Sequence, residues 1–226
     1  MSDFYSIAID GPSGAGKSTI ARSAAAHFGF LYVDTGAIYR TVGVAAKKRN
    51  IKPTDVPAVI AMLPELSIQL THGEDGLQHM LLDGEDVTEA IRQPDISMYA
   101  SAVSAIPEVR SYLMDTQRNL AASHHVIMDG RDIGTVVLPN AGLKIFLTAT
   151  PEDRARRRYL ELMNRGIEAS YDEVYRDLQI RDKNDSSRAA APLRPAEDAV
   201  YLDTTGYTFE QSCQLIFRHI QERFSL

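Results

Sequence analysis

Short apolar runs alternate along the chain with longer stretches of mixed polarity. The runs Tyr5–Asp10, Leu31–Asp34, Val126–Asp129, Lys144–Thr148 and Val200–Asp203 are rich in β-branched and aromatic residues, and most end near an acid or a turn. This is the pattern of strands buried on both faces of a parallel sheet. Between them, Thr19–Phe28, Ala37–Arg49, Pro107–Ala122, Pro151–Asn164, Tyr171–Asn184 and Thr208–Phe224 read as helices. Thr150-Pro151-Glu152-Asp153 spells a helix start, with a capping hydroxyl, a proline in the first turn and early acids. The alternation predicts an α/β fold with helices on both faces of the sheet. One stretch, roughly residues 64–90, breaks it. Leu66–Leu70, Thr71–Gly76, Leu77–Leu82 and Asp83–Val87 read as short strands joined by turns, a small antiparallel insertion. It is either a solvated excursion or a substrate-gripping element. Its histidines, His72 and His79, are spaced too loosely for a metal site.

Composition narrows the class. With 226 residues, 44% of them hydrophobic, the chain can bury a full core and is expected to form one domain over 1–226 with small insertions. No run approaches the roughly 18 apolar residues of a membrane span. The opening Met-Ser-Asp lacks a signal-peptide pattern. A lone cysteine, Cys213, excludes an internal disulfide and fits a reducing, cytoplasmic setting; its neighbours Leu215, Ile216 and Phe217 suggest a buried thiol. A net charge of −6 argues against nucleic-acid and membrane partners. Yet arginines outnumber lysines 18 to 6, and arginine is the side chain that grips phosphate bidentately.

The run Gly11-Pro12-Ser13-Gly14-Ala15-Gly16-Lys17-Ser18 follows the first predicted strand and fills the template G-x-x-x-x-G-K-[ST]. Its glycines let the backbone turn tightly and aim several N–H groups at one anion. Lys17 brings a point charge to the β/γ-phosphates, and the Ser18 hydroxyl can complete a Mg²⁺ shell. Thr19 opens the helix whose positive N-terminus faces the phosphates. The chain is therefore expected to bind a nucleoside triphosphate. Three further charged clusters stand out. Asp34-Thr35-Gly36-Ala37-Ile38-Tyr39-Arg40 and Asp129-Gly130-Arg131-Asp132 follow predicted strands at their carboxyl ends, where open parallel sheets place ligands. Asp129 stands where a phosphate-loop protein holds its Mg²⁺, usually through water. Arg181 and Arg188, seven apart, would share a face if the preceding helix ran that far.

These residues together resemble the bacterial cytidylate kinases, a family of nucleoside monophosphate kinases. The resemblance runs end to end: the Ile-Asp-Gly-Pro-Ser-Gly-Ala-Gly-Lys run, Asp34–Arg40, the insert ending Asp83-Gly-Glu-Asp-Val, Ser101 through Pro107-Glu-Val-Arg110, Asp129–Val137, and Arg181-Asp185-Arg188 followed by Ala191-Pro-Leu193. It implies a P-loop kinase fold with a parallel five-stranded sheet flanked by helices. It also implies a monophosphate-binding region carrying the β insert at about 35–115 and a mobile lid at about 152–190. The implied activity is transfer of the γ-phosphoryl group from ATP, bound with Mg²⁺, to CMP or dCMP by a monomeric enzyme. The resemblance places the acceptor phosphate on Arg40, Arg131 and Arg181 with the Thr35 hydroxyl nearby. It places the pentose on Asp185 and Arg188, and the cytosine edge on Ser101, Arg110 and Asp132. Thr35 stands where relatives often carry Ser. The arginines of Arg154-Ala-Arg156-Arg157-Arg158 match the lid, with Arg157 the first choice for ATP.

Since the acceptor is itself an ionised phosphate oxygen, no strong general base is required, and catalysis would be positioning plus charge neutralisation by Lys17, Mg²⁺ and the arginines. Two rivals compete. A P-loop kinase of shikimate or dephospho-coenzyme A would share the logic of the first 35 residues but would need neither the insert nor the cytosine set. A GTPase-type switch predicts Asn-Lys-x-Asp, and the nearest string, Lys183-Asn184-Asp185, has the wrong order.

Overall fold

A computed structural model describes residues 4–73 and 77–226. The opening Met-Ser-Asp and the tip of the predicted turn at 71–76 lie outside the described residues. In chain order the elements are β1 (Ser6–Asp10), α1 (Lys17–Phe28), β2 (Leu31–Asp34), α2 (Thr35–Lys48), α3 (Val56–Met62), β3 (Ile68–His72), β4 (Gln78–Leu82) and β5 (Glu85–Asp86). Then follow α4 (Pro94–Val103), α5 (Pro107–Ser123), β6 (Val126–Gly130), a π-helical turn (Ile133–Val137), β7 (Leu143–Thr148), α6 (Pro151–Asn164), α7 (Tyr171–Ser187), β8 (Val200–Asp203) and α8 (Phe209–Phe224). The chain divides into two compact units, one made of Met1–Tyr32 and Ala121–Leu226, the other of Val33–Leu120.

In the first unit, five strands of the described residues form a sheet in the order β2-β6-β1-β7-β8. The pairings of β1 with β6, β1 with β7 and β7 with β8 are all parallel. Ile7, Ile9, Ile127, Ile145 and Leu147 from the strands bury against Ile20, Ala21 and Ala24 of α1 and Cys213, Ile216 and Ile220 of α8. Each fully buried isoleucine or leucine contributes about 1.5–3 kcal/mol, so this cluster anchors every loop at the carboxyl ends of the strands. A separate small core joins α6 to α7 through Ala155, Leu162, Val174 and Leu178. Helix α7 begins with a reciprocal Ser170/Glu173 cap and α8 with Thr208/Gln211.

The strand runs emerge within one or two residues of their predicted bounds. Helix α7 continues to Ser187, three residues past its predicted end, and stops there. Arg188 lies beyond it in an extended conformation (φ −64°, ψ 142°), so the shared helical face for Arg181 and Arg188 does not form. The Arg188 Nε instead donates to the carbonyl of Ala191, 2.6 Å away, closing a turn against further helix. Helices α3 and α4 and the π turn were not anticipated.

In the second unit, β3, β4 and β5 form a small antiparallel sheet, with Ile68 opposite Leu82 and Thr71 opposite His79. Inward-facing Gln78, Met80 and Leu82 of β4 are buried while the residues between them are half exposed, the period-2 pattern of a one-sided sheet. Helix α2 packs on α4. His79 pairs with Asp86 on the neighbouring strand at 3.0 Å.

Candidate active site

The phosphate loop runs from the end of β1 to the first turn of α1. The Lys17 ammonium is 5% exposed and donates to the Pro12 carbonyl at 2.8 Å. Burial pushes its pKa down to about 7, and the Arg131 guanidinium pushes the same way. The loop thus folds around its own lysine. The Ser18 hydroxyl donates to Asp129 Oδ2 (2.9 Å), and the Tyr32 hydroxyl donates to Asp129 Oδ1 (2.8 Å). Asp129 is the penultimate residue of β6, in register with Ile9 of β1, and meets the first turn of α1 through Ser18. A hydroxyl and a carboxylate are the hard oxygen ligands that Mg²⁺ prefers, so this pair fits the ion implied by the sequence.

Two arginines brace the loop at Ser13. Arg131 Nη2 donates to the Ser13 hydroxyl (2.8 Å), and Arg154 Nη1 donates to the Ser13 carbonyl (2.9 Å). Arg154 is buried, with Nε on the Ala149 carbonyl and Nη2 2.7 Å from Asp182 of α7. It is therefore a scaffold residue tying the loop to α6 and α7. Arg157 donates to the carbonyls of Thr204 (2.6 Å) and Ala15 (3.4 Å), beside the loop. Arg156 is exposed, and Arg158 pairs with Glu161 one turn away. Sequence alone gives these four arginines one reading; burial separates them.

The segment after β6 carries the densest ion pairing. Arg131 Nε meets Asp185 Oδ2 at 2.8 Å, and Arg188 Nη2 lies 3.5 Å from Asp132 Oδ1. Burial pushes the Asp185 carboxyl up, but Arg131, then Arg181 and Arg188, outweigh it and hold the group below its usual range. By the same coupling Asp185 outweighs the burial of Arg131 and keeps its guanidinium firmly charged. Arg131, Asp132, Arg181, Asp185 and Arg188 thus form one charged cluster within one unit, joined to the phosphate loop by the Arg131 bond to Ser13. Asp132 and Arg131 lead directly into the π turn, whose amides Val137 and Leu138 bond five residues back to Asp132 and Ile133. Such turns are rare and concentrate at functional sites.

In the second unit the Asp34 side chain caps α2 by accepting from Ala37 N (2.9 Å) and binds Arg40 Nη2 at 2.6 Å, with Arg92 at 3.9 Å. Burial pushes its carboxyl up, but Arg40 and Arg92 reverse the effect and hold it below the usual range. Thr35 is buried at the first position of α2. The β insert supports this segment directly: buried Gln78 accepts from Asp34 N (2.7 Å) and donates to Asp34 O (3.2 Å). This contact gives the insert a bracing role that neither sequence reading named. Arg110 is buried, lies over the Tyr39 ring at 5.6 Å and donates to the Ser104 carbonyl at 3.2 Å. The Ser104 hydroxyl in turn donates to the carbonyl of Ser101 (2.9 Å), so Ser101 and Arg110 meet at one turn.

Tyr32, Gln78 and Arg92 escaped the sequence reading. Each is a single residue without a motif, and only the fold puts it beside Asp129 or Asp34. Among the described residues no helix is long and apolar enough to cross a membrane.

The family model described as cytidylate kinase matches residues 7–222. A curated cytidylate kinase of Caldicellulosiruptor bescii is 53% identical over 210 residues, covering 93% of this chain and 92% of the relative. That of Exiguobacterium sp. is 48% identical over 223 residues, covering 98% and 99%. A crystal structure of an uncharacterized protein from Eubacterium ventriosum shares the fold at a TM-score of 0.54 and 11% identity, covering 96% of this chain and 98% of that one. With one family model matched over nearly its whole length, the chain belongs to the cytidylate kinase family, phosphotransferases of the nucleoside monophosphate kinase class.

Proposed function

We propose that the chain, as a cytidylate kinase, transfers the γ-phosphoryl group of ATP to the phosphate of CMP or dCMP, and that its named side chains divide the work as follows. The observation that carries the reading is the gathering of Lys17, Ser18, Asp129, Arg131 and Asp185 around one phosphate loop. Gly11 through Thr19 would cradle the triphosphate with backbone amides, and Arg157, at the edge of the loop, is the arginine assigned to ATP. Ser18, with Asp129 behind it through water, would hold Mg²⁺, which supplies charge neutralisation on the transferring phosphate oxygens. Lys17 has a second neutralising role, and an arriving polyanion favours its charged form against the burial that lowers its pKa.

Arg131 and Arg181 are assigned to the acceptor phosphate, Asp185 and Arg188 to the pentose, and Asp132 to the base. Thr35, Arg40, Ser101 and Arg110 are assigned to the same monophosphate on the strength of the sequence resemblance. In the described structure Arg40, Arg131 and Arg188 are already paired with carboxylates, so binding would exchange one anion for another at these three. That exchange keeps the desolvation cost of the arginines low before substrate arrives. A phosphate acceptor is ionised at neutral pH, so no residue is assigned as general base. Such catalysis is orientation plus preorganised charge.

The test is a coupled assay of ADP release with each nucleoside monophosphate in turn. Stimulation by CMP and dCMP well above UMP, AMP and GMP is expected. Equal rates with all five, or none above the ATP-only background, would refute the assignment. A single domain with a moving lid over 152–190, a monomeric state and a cytoplasmic location complete the proposal; light scattering with and without nucleotides checks the first two physical claims.

A further inference from the structure

Asp10 lies at the end of β1, directly before the phosphate loop, and is 3% exposed. Its backbone is fixed in register with Gly130 of β6 and Phe146 of β7. Its two carboxylate oxygens are taken separately: Oδ1 accepts from Ile133 N and Oδ2 from Gly134 N, each at 2.7 Å. Ile133 and Gly134 are the first two residues of the π turn, and the opening amides of a helical turn have no partner within it. A strand residue thus caps a turn that lies more than 120 positions later in sequence. The two residues immediately before the clamped amides are Arg131 and Asp132.

We propose that Asp10 is a positioning residue for the acceptor nucleotide: its carboxylate clamps the first two amides of the π turn and so fixes the backbone that aims Arg131 and Asp132. The inference rests on the assignment of Arg131 and Asp132 to the monophosphate. The clamp is tight on its far side. A Cβ added at Gly134 would lie 3.4 Å from Asp10 Oδ2 and 3.1 Å from Lys144 Cδ. Lys144 itself is held by Asp198 at 2.8 Å, so the turn is wedged between Asp10 and a fixed lysine stem. The clamp acts first on the acceptor side, and the Asp10 side chain reaches the loop only through the Arg131 bond to Ser13 and its charge near Lys17. Asp10 reaches the turn through its side chain, whereas the phosphate loop leaves from its backbone, which the two flanking strands hold regardless of the side chain.

Asp10→Asn separates the two sides. The amide keeps the size of the carboxyl and one acceptor, but its NH₂ group faces one of the two N–H donors and cannot bind it. The kinetics expected are a fall of about 10- to 100-fold in kcat/KM for CMP, the scale of a misplacement of about 1 Å. Most of the loss should sit in KM for CMP, with KM for ATP within about twofold of the parent and the CMP/UMP preference reduced. Because Asp10 is also a negative neighbour of Lys17, kcat alone does not discriminate, and the split between the two Michaelis constants is the readout. Gly134→Ala, which loads the same clamp from its other side, should show the same split. Amide exchange at Ile133 and Gly134 should quicken in Asp10→Asn.

CMP kinetics within about twofold of the parent, or equal rises in KM for ATP and CMP, overturn the inference. Arg131→Ala measured in parallel identifies what failed. If Arg131→Ala raises KM for CMP and Asp10→Asn does not, the clamp is wrong and the site assignment stands. If Arg131→Ala leaves CMP kinetics unchanged, the site assignment is wrong and the clamp falls with it.

Discussion

Asp10→Asn also makes a quantitative prediction about stability. Burial pushes the Asp10 carboxyl from its ordinary 3.8 to about 6, although the amides of Gly134 and Ile133 hold it down. A carboxyl raised in the folded state takes up its proton more readily folded than unfolded. Its contribution is therefore fully present below about 3.8 and is lost as pH rises through about 6, with the cost persisting at neutral pH. The shift of roughly two units corresponds to about 3 kcal/mol at 1.36 kcal/mol per unit. Asparagine has no charge to bury, but leaves one N–H without an acceptor, at about 1–2 kcal/mol independent of pH. The variant should thus be less stable than the parent near pH 4 and equal to it or more stable at pH 7, with the difference in unfolding free energy swinging by about 3 kcal/mol. Denaturant titrations at pH 4, 5, 6 and 7 measure this, provided the m-value is unchanged. Other titrating groups largely cancel in the variant-minus-parent difference. A difference that stays flat with pH to within about 0.5 kcal/mol would refute the reasoning, because it would mean that the buried carboxylate carries no net penalty. If the swing is found, the chain keeps a charge that costs stability where a neutral isostere would do better, the usual mark of selection for function over stability.

Further outcomes follow from the site. Lys17→Ala should reduce kcat by about 10²–10³, the typical cost of one preorganised transition-state contact; retention of half the activity by the folded variant would dismiss the phosphate-loop role. Arg131→Ala and Arg181→Ala should raise KM for CMP with KM for ATP nearly unchanged, and lysine should rescue neither, since it lacks the planar fork; parallel losses in both constants would put these residues on the wrong nucleotide. An ionised carboxylate only accepts hydrogen bonds, so Asp132→Ala should depress kcat/KM for CMP far more than for UMP, and Asp132→Asn should narrow the gap further; a CMP/UMP ratio within about threefold of the parent in both variants would show that Asp132 does not read the base.

What the sequence disclosed and what it withheld divide along physical lines. Buried strands and the phosphate loop are local: composition over five to eight neighbouring residues determines them, so Leu31–Asp34 and Val200–Asp203 could be read to the residue. The end of α7 was misjudged because Asp185, Ser186 and Ser187 are poor helix formers, yet the helix is carried through them and Asp185 is buried in the fold. Helix α3 has a readable start, Asp55 capping Ala58 N with Pro57 in the first turn, but only seven residues of weak periodicity behind it. The π turn had no local signature at all, since its first amides are satisfied by Asp10 from the far end of the chain. The same holds for Gln78 on the Asp34 backbone and Tyr32 on Asp129. Motifs nominate the residues that meet substrate; the residues that hold those in place are scattered, and only the fold assembles them.

The first glycine of the loop carries a consequence for how change elsewhere reaches the nucleotide. A Cβ on Gly11 would fall 1.9 Å from the carbonyl oxygen of Leu147, and the backbone there has φ +151°. No other residue fits, and the contact is backbone against backbone, without a side chain to swing aside. The height of the loop above the sheet is therefore gauged by β7 itself, whose Leu147 is paired with Leu202 on the edge strand β8. Substitutions along that edge that leave the core intact but shift β7 by a few tenths of an ångström would surface as altered nucleotide affinity. The β7–β8 margin of the sheet is thus a tuning surface for the enzyme.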